Sequence, residues 1–123
     1  MATERVKPIV LKFSDDEGNV TDEYTLEFNR ETIKFAEARK FDIDDVSKYP
    51  MTKIPELFWY AFRWHHPSMS KAQTDKIFFE NLGGFEGVPD GFGARLGELY
   101  NAPFTASFDG EKTVKNPKWT VEL

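Results

Sequence analysis

The sequence predicts an α+β fold in which an N-terminal β-hairpin packs on about four α-helices, with a candidate strand at the C-terminus. Two segments of alternating side chains flank a turn-forming cluster within the first 28 residues. Apolar residues then recur at helical spacing in several of the segments that follow. A length of 123 residues and a content of 12 Phe indicate a single domain, residues 1–123, with enough apolar volume for a core.

The predicted hairpin covers about Pro8–Phe28 and turns at Asp15–Asn19, where Gly18 or Asn19 can adopt a positive φ. Alternation in both strands places these apolar side chains on one face: Ile9, Leu11, Phe13, Tyr24, Leu26 and Phe28. An isolated two-stranded hairpin is only marginally stable in water. We therefore expect this face to pack on the helices.

The first predicted helix spans about Arg30–Lys40. Asn29 is suited to cap its N-terminus, and Glu31 in the first turn interacts favourably with the helix dipole. A bend and a helical turn at residues 41–46 follow. Tyr49-Pro50 is expected to end this segment, because proline disfavours the α conformation of the residue before it.

The central helix is predicted at Thr52–His66, with Thr52 as N-cap, Pro55 in the first turn and Pro67 directly after its end. Five of the seven residues from Phe58 to Trp64 are aromatic. Apolar residues cover most of its circumference, which is typical of a helix that is buried or covered by a partner. This helix is expected to lie at the centre of the fold.

Two further helices are predicted. Ser70 begins a capping-box pattern for a helix at about Lys71–Leu82, and Gly83-Gly84 is a typical C-terminal stop. Residues 85–88 are predicted to form a loop. The last helix spans about Pro89–Ala102 and contains three glycines that weaken it and would allow close packing: Gly91, Gly93 and Gly97.

Both ends of the chain, residues 1–7 and about 105–123, are expected to be flexible, with one exception near the C-terminus. Trp119, Val121 and Leu123 alternate with Thr120 and Glu122, as in a β-strand. This segment is predicted either to add a third strand to the hairpin or to remain a loose tail that awaits a partner.

Charge and composition argue against several function classes. The 16 basic and 21 acidic residues give a net charge of −5 and are mixed along the chain, so nucleic-acid binding is not expected. The absence of cysteine excludes disulfides and cysteine-based zinc sites. We find no signal peptide and no apolar run of the ~20 residues that a membrane span needs, so no membrane partner and a cytoplasmic location are expected.

No residue pattern predicts an enzyme, a cofactor or a metal site. Adjacent His65 and His66 point about 100° apart on a helix, so they do not form the i, i+4 pair that binds zinc. Asp42, Asp44 and Asp45 lack the glycine and the terminal glutamate of a calcium loop, and capping explains them better. A small hydrolase or metal protein that uses His65 or His66 is the weakest hypothesis for function.

Protein binding is the more specific hypothesis, and Trp59, Tyr60 and Trp64 are its candidate residues. They lie on the flanks of the predicted central helix and not on its main apolar face. One interpretation is core packing in a Phe-rich domain. The other is an exposed patch that binds an apolar helix or a second copy of the chain, since aromatic side chains are favoured anchors in such interfaces.

Four segments carry a resemblance to a known family. They are YTLEFNRETIKFAEARKFDIDDVSKYPMTKIPELFWYAFRWHH at residues 24–66, KAQTDKIFFENLGG at 71–84, LGELYNAPF at 96–104 and KNPKWTVEL at 115–123. In this order they resemble a small family encoded in the tail modules of phages and prophages of Gram-positive bacteria. Its members are similar in size and gene setting to the tail assembly chaperones of long-tailed phages.

The resemblance implies a protein of the host cytoplasm that is absent from the mature virion. Such a chaperone binds the apolar tape measure protein and keeps it soluble until the tail tube protein polymerises around it. A coating role also implies self-association into a homo-oligomer. The alternative is a structural component of the tail or of the head–tail connector that stays in the virion.

Overall fold

The computed structural model describes residues 7–108, with side chains described as far as residue 104, and it confirms the predicted α+β class. The predicted strand at Trp119–Leu123 lies outside the described residues. The elements are β1 Ile9–Ser14, β2 Val20–Leu26, α1 Arg30–Ala38, α2 Asp45–Lys48, α3 Pro50–Phe62, α4 Lys71–Lys76, a π-helical turn Ile77–Asn81, α5 Gly84–Gly87 and α6 Phe92–Phe108.

The N-terminal hairpin forms as predicted. In the described part of the chain, β1 and β2 pair as a two-stranded antiparallel sheet, with Ile9 opposite Leu26 and a register shift between Phe13 and Ser14. Gly18 takes a φ of 88°, which L side chains rarely adopt. The turn is also held by Asp15, whose side chain accepts the backbone N–H of Asn19 at 2.9 Å.

The central helix α3 provides much of the core. Leu57, Phe58 and Phe62 have no exposed surface. Phe62 packs on Tyr24 of β2, with ring centroids 5.4 Å apart, and Phe58 packs on the π-helical turn and on α6. The hairpin face that was predicted to pack on the helices therefore does so, mainly through β2.

The outer edge of β2 is bound directly to α3 and to the turn that follows it. Glu27 donates its backbone N–H to the carbonyl of Ala61 at 3.0 Å. Thr25 donates its backbone N–H to Nε2 of His66, also at 3.0 Å. These bonds fix the hairpin against the central helix by one edge as well as by one face.

Asn29 caps α1 as predicted, and the capping box predicted at Ser70 is present. Asn29 accepts the backbone N–H of Thr32 at 2.9 Å, and the Thr32 hydroxyl accepts the N–H of Asn29 in return. Ser70 and Gln73 make the same reciprocal pair at the start of α4. Helices α1 and α4 begin where these short-range signals place them, because an N-cap residue satisfies backbone donors that the helix itself cannot.

Other helix boundaries differ from the predictions. The central helix begins at Pro50 and not after Thr52, because the carbonyl of Tyr49 accepts the N–H of Lys53 at 2.9 Å and Pro50 is favourable as the first helical residue. It ends at Phe62 and continues as a turn to His66. Pro55 therefore lies inside the helix and not in its first turn.

The C-terminal half also departs from the predicted pattern. The helix after Ser70 changes from α to π geometry, with the N–H of Leu82 bound to the carbonyl of Ile77 at 2.9 Å. The predicted loop at residues 85–88 contains the short helix α5. Gly91 has a φ of 81° and precedes α6, which begins at Phe92 and runs to Phe108, beyond the predicted end.

Candidate functional site

A groove lies between α1 and the turn that follows α3. Its volume is about 490 Å³ and it is open to solvent. We call it the α1–α3 groove. The residues that line it are Asn29, Glu31, Thr32, Lys34, Phe35, Arg63, Trp64 and Pro67. The local sequence explains its two walls, because the Asn29 cap begins α1 on one side and the end of α3 turns the chain on the other.

Phe35 and Arg63 form a stacked pair in this groove. The guanidinium carbon of Arg63 lies 3.8 Å from the centroid of the Phe35 ring. Arg39 approaches the same ring at 5.7 Å and the Trp59 ring at 5.0 Å. Each such cation–π contact contributes roughly 0.5–1 kcal/mol at an exposed site. The groove therefore combines an aromatic surface with positive charge held in a fixed position.

Trp64 is the exposed aromatic residue of the groove, with 37% of its surface accessible. Its indole stacks on the His65 ring, with centroids 4.5 Å apart and an angle of 20° between the planes. An indole held against a second ring loses little freedom when a partner covers its other face. Trp64 is thus suited to act as an interface anchor.

Tyr60 has no exposed surface in this structure. Its ring packs edge-on against Phe35 and Phe41, and its hydroxyl donates to the Glu56 carboxylate at 2.6 Å. Burial, together with Glu56, raises the pKa of this hydroxyl well above its usual value. Tyr60 is therefore a core residue and does not line the α1–α3 groove.

Trp59 is intermediate between the other two predicted residues. It is half-buried, and its indole N–H donates to the carbonyl of Met69 at 3.2 Å. Its ring packs edge-on against Phe35 at 5.6 Å, behind the groove. Trp59 and Tyr60 thus both pack edge-on against Phe35, and among the three predicted residues only Trp64 lines the groove.

The sequence pattern did not identify Phe35, Lys34 or Arg63 as groove residues. Phe35 and Arg63 are far apart along the chain, and helical periodicity carries no information about which positions of two helices meet. A weak signal was present in Arg63, a cation between aromatic residues, which is a common composition for interface anchors.

The two histidines serve structural contacts. Nε2 of His65 lies 3.0 Å from a carboxylate oxygen of Glu27, and His66 accepts the backbone N–H of Thr25. Burial lowers the pKa of His66, and nearby His65 adds to this effect. Within residues 7–108, no group of three or more histidine, aspartate or glutamate side chains is arranged to hold a metal ion.

Other apolar side chains are exposed outside the groove. Tyr49 and Met51 lie at the junction of α2 and α3, and Phe79 is 48% exposed on the π-helical turn. None of the three lines the α1–α3 groove. No helix in the described part of the chain has the length and apolarity needed to cross a bilayer.

Comparisons with known proteins give a family but no relative of established activity. No curated protein and no solved structure matches the chain. A family model described as a domain of unknown function, DUF5055, matches residues 1–123. Because that match covers the full sequence, the chain belongs to the DUF5055 family.

Proposed function

We propose that this protein is a phage tail assembly chaperone that binds the tape measure protein and keeps it soluble before the tail tube polymerises. It would act in the cytoplasm of the bacterial host and leave no copy in the mature virion. The resemblance of four sequence segments to proteins of phage tail modules supports this role. A net charge of −5 also suits a protein that must keep an apolar partner in solution.

The observation that carries the proposal is the α1–α3 groove with Trp64 exposed along it. An amphipathic helix binds such a groove through apolar side chains at helical spacing. Trp64 and Phe35 offer aromatic surface to those side chains. Trp and Arg are the residue types most enriched among side chains that dominate binding energy, and Arg63 lies beside both.

The charges around the groove add selectivity. Lys34 and Arg63 are cationic, whereas Glu31 is the acidic side chain of the lining. A helix that carries an acidic residue beside its apolar stripe would gain a favourable contact with Lys34 or Arg63. We therefore propose that the bound tape measure segment is an apolar helix flanked by carboxylates. The tail tube protein and further copies of this chain are additional partners that the same role would involve.

Co-expression with the tape measure protein of the same phage tests the proposal. We expect the native chain to keep that protein in the soluble fraction and to co-purify with it. Trp64→Ala should reduce the soluble fraction several-fold, because truncation of a central anchor costs about 2 kcal/mol or more of binding free energy. Phe79→Ala is the matched control, since it truncates an aromatic residue of similar exposure outside the groove.

Two results would contradict this function. One is a tape measure protein that is equally insoluble with and without the native chain. The other is detection of this protein in purified virions at the copy number of a ring, which would favour a structural component of the tail or of the head–tail connector. Mass spectrometry of virions separates these roles, because a chaperone should be absent from the finished particle.

A further inference from the structure

The hairpin leaves one of its two edges without partners among the described residues. The N–H groups of Thr25 and Glu27 point away from β1, since they donate to His66 and Ala61. Hydrogen bonding alternates along an antiparallel pair. When the backbone groups of one residue point away from the partner strand, those of the residue opposite it also point away from their partner strand. Val10 is opposite Thr25 and Lys12 is opposite Glu23.

The backbone groups of Val10 and Lys12 therefore point away from β2. No hydrogen bond links them to any residue within the described range 7–108. We call this row the β1 outer edge. Exposed strand edges of this kind are templates for another strand, and folded proteins usually cover or disrupt them. Among residues 7–108, α3 covers the edge of β2, whereas no segment forms backbone hydrogen bonds with the edge of β1.

Burial across the hairpin shows the same asymmetry. Leu26 of β2 has no exposed surface, whereas Ile9, Leu11 and Phe13 on the same face of β1 are only half-buried. The apolar layer thus continues to the β1 outer edge without full cover. A third strand beside β1, with apolar side chains on this face, would complete the layer.

We propose that the β1 outer edge is a docking site for the chain's own C-terminal segment, residues 118–123, which binds there as a third strand. The inference is independent of the tape measure hypothesis. The segment alternates in the required way, because Trp119, Val121 and Leu123 can share one face. That face would extend the half-buried apolar layer of β1.

The outer face of the hairpin is also complementary to the C-terminal segment. Val10 and Lys12 are exposed on the outer face of the hairpin. A C-terminal strand with its apolar residues inward places Thr120 and Glu122 on this outer face. Glu122 beside Lys12 forms an opposite-charge cross-strand pair, which is favourable. A second copy that docked β1 against β1 would place two Lys12 side chains on the same face, where their charges repel.

The chain is long enough for this arrangement. The Arg95 guanidinium binds the carbonyl of Lys7, so the start of β1 lies beside the first turns of α6. From Arg95 to the end of α6 at Phe108 the helix rises by about 20 Å. Residues 109–117 can span up to about 30 Å when extended, and a six-residue strand of about 20 Å matches the six residues of β1.

Amide hydrogen exchange of the full chain tests the proposal. We expect the N–H groups of Val10 and Lys12 to be protected, and Thr120→Pro to accelerate their exchange by about tenfold or more. In an antiparallel ladder the N–H of a residue on the outer face, such as Thr120, points toward β1, and proline lacks that N–H. Leu11 and Phe13 serve as internal controls, because their N–H groups bind β2 and should not respond. Thr113→Pro, outside the proposed strand, is the matched control variant.

The outcomes are distinguishable. Rapid exchange of Val10 and Lys12 in the native chain would overturn the proposal. Protection that survives Thr120→Pro would also overturn it and would indicate another occupant, such as a second copy. Lys12→Cys in this cysteine-free chain resolves that case. We expect Lys12→Cys to form an intramolecular disulfide when it is combined with Thr120→Cys or Glu122→Cys, but not when it is combined with Glu111→Cys. A disulfide-linked dimer would instead show that β1 pairs between two copies.

Discussion

His66 joins the hairpin to the central helix through a bond that only its neutral ring can make. Nε2 of His66 accepts the N–H of Thr25 at 3.0 Å, and a proton on that nitrogen would remove the acceptor. Burial and the proximity of His65 lower the pKa of His66 in the folded state. The unfolded chain therefore binds a proton more readily than the folded one.

This difference predicts a loss of stability on acidification. Above the unfolded pKa of about 6.5, the contribution of His66 to stability is fully present. As the pH falls through that value toward the lower folded pKa, the free energy of unfolding decreases. In His66→Gln, an amide oxygen can accept the same bond without titrating. Between about pH 7.5 and pH 5.5, we expect the urea midpoint of His66→Gln to fall less than that of the native chain.

His65→Gln is the matched control for this prediction. Burial is the larger cause of the lowered pKa of His66, so the free energy of unfolding of His65→Gln should still decrease at acidic pH. Equal pH dependence in the native chain and in His66→Gln would show that the Thr25 bond does not control stability in this range.

The environments of Tyr60 and Trp64 show what residue-level prediction could and could not achieve. Both were placed on the flanks of an aromatic helix, and the alternatives of core and surface were left open for both. Phe35 and Phe41 cover Tyr60, whereas Trp64 follows the end of α3 and remains exposed. Whether each ring is buried or exposed depends on side chains from α1 and the segment after it, which the local sequence of α3 does not identify.

At the scale of secondary-structure elements, the best predictions rest on interactions within a few residues. The Asn29 cap and the Ser70–Gln73 capping box are contacts of this kind, and both are present. The start of α6 and the π-helical turn were not predicted. Their geometry depends on tertiary packing of the C-terminal half, where short-range patterns of apolar residues are compatible with several helix boundaries.

The glycines of the same region differ in their roles. A Cβ atom on Gly93 would come within 2.9 Å of Ile54, so this glycine does allow close packing between α6 and α3, as predicted. A Cβ on Gly97 would meet no atom within 4 Å. Gly87 has the tightest surroundings, because a Cβ there would lie 1.9 Å from the carbonyl oxygen of Leu82.

These surroundings predict opposite effects for two similar substitutions. Gly87→Ala forces the backbone of α5 away from Leu82, and we expect it to lower the free energy of unfolding by about 3 kcal/mol. Gly97→Ala adds a methyl group in open space within α6 and should raise it by about 0.5–1 kcal/mol, the helix preference of Ala over Gly. Urea denaturation measures both. A Gly87→Ala variant as stable as the native chain would contradict the close contact.

At the scale of the whole molecule, one aromatic cluster connects the elements. Phe58 of α3 packs on Phe78 of the π-helical turn at 5.3 Å and on Phe92 of α6 at 6.0 Å. Phe62, one turn further on, packs on Phe58 at 5.0 Å and on Tyr24 of β2. Composition predicted a Phe-rich core around the central helix, but only the tertiary structure shows that it links both ends of the described chain.

Phe58→Ala should therefore destabilise the entire fold. Phe58 has no exposed surface, and truncation of a buried phenylalanine costs about 3–5 kcal/mol. That is a large fraction of the ~5–15 kcal/mol that stabilises a typical domain. Hydrogen exchange of the variant should show that amides of the hairpin and of α6 lose protection to the same extent, because both depend on the same cluster.

Phe79→Ala is the control, since it removes the same group from a half-exposed position on the π-helical turn. We expect it to cost less than about 1 kcal/mol, as most surface substitutions do. If Phe58→Ala released the amides of α6 while those of the hairpin kept their protection, the hairpin would be stabilised separately. Its attachment to α3 through Thr25 and Glu27 would then contribute more to its stability than the shared core.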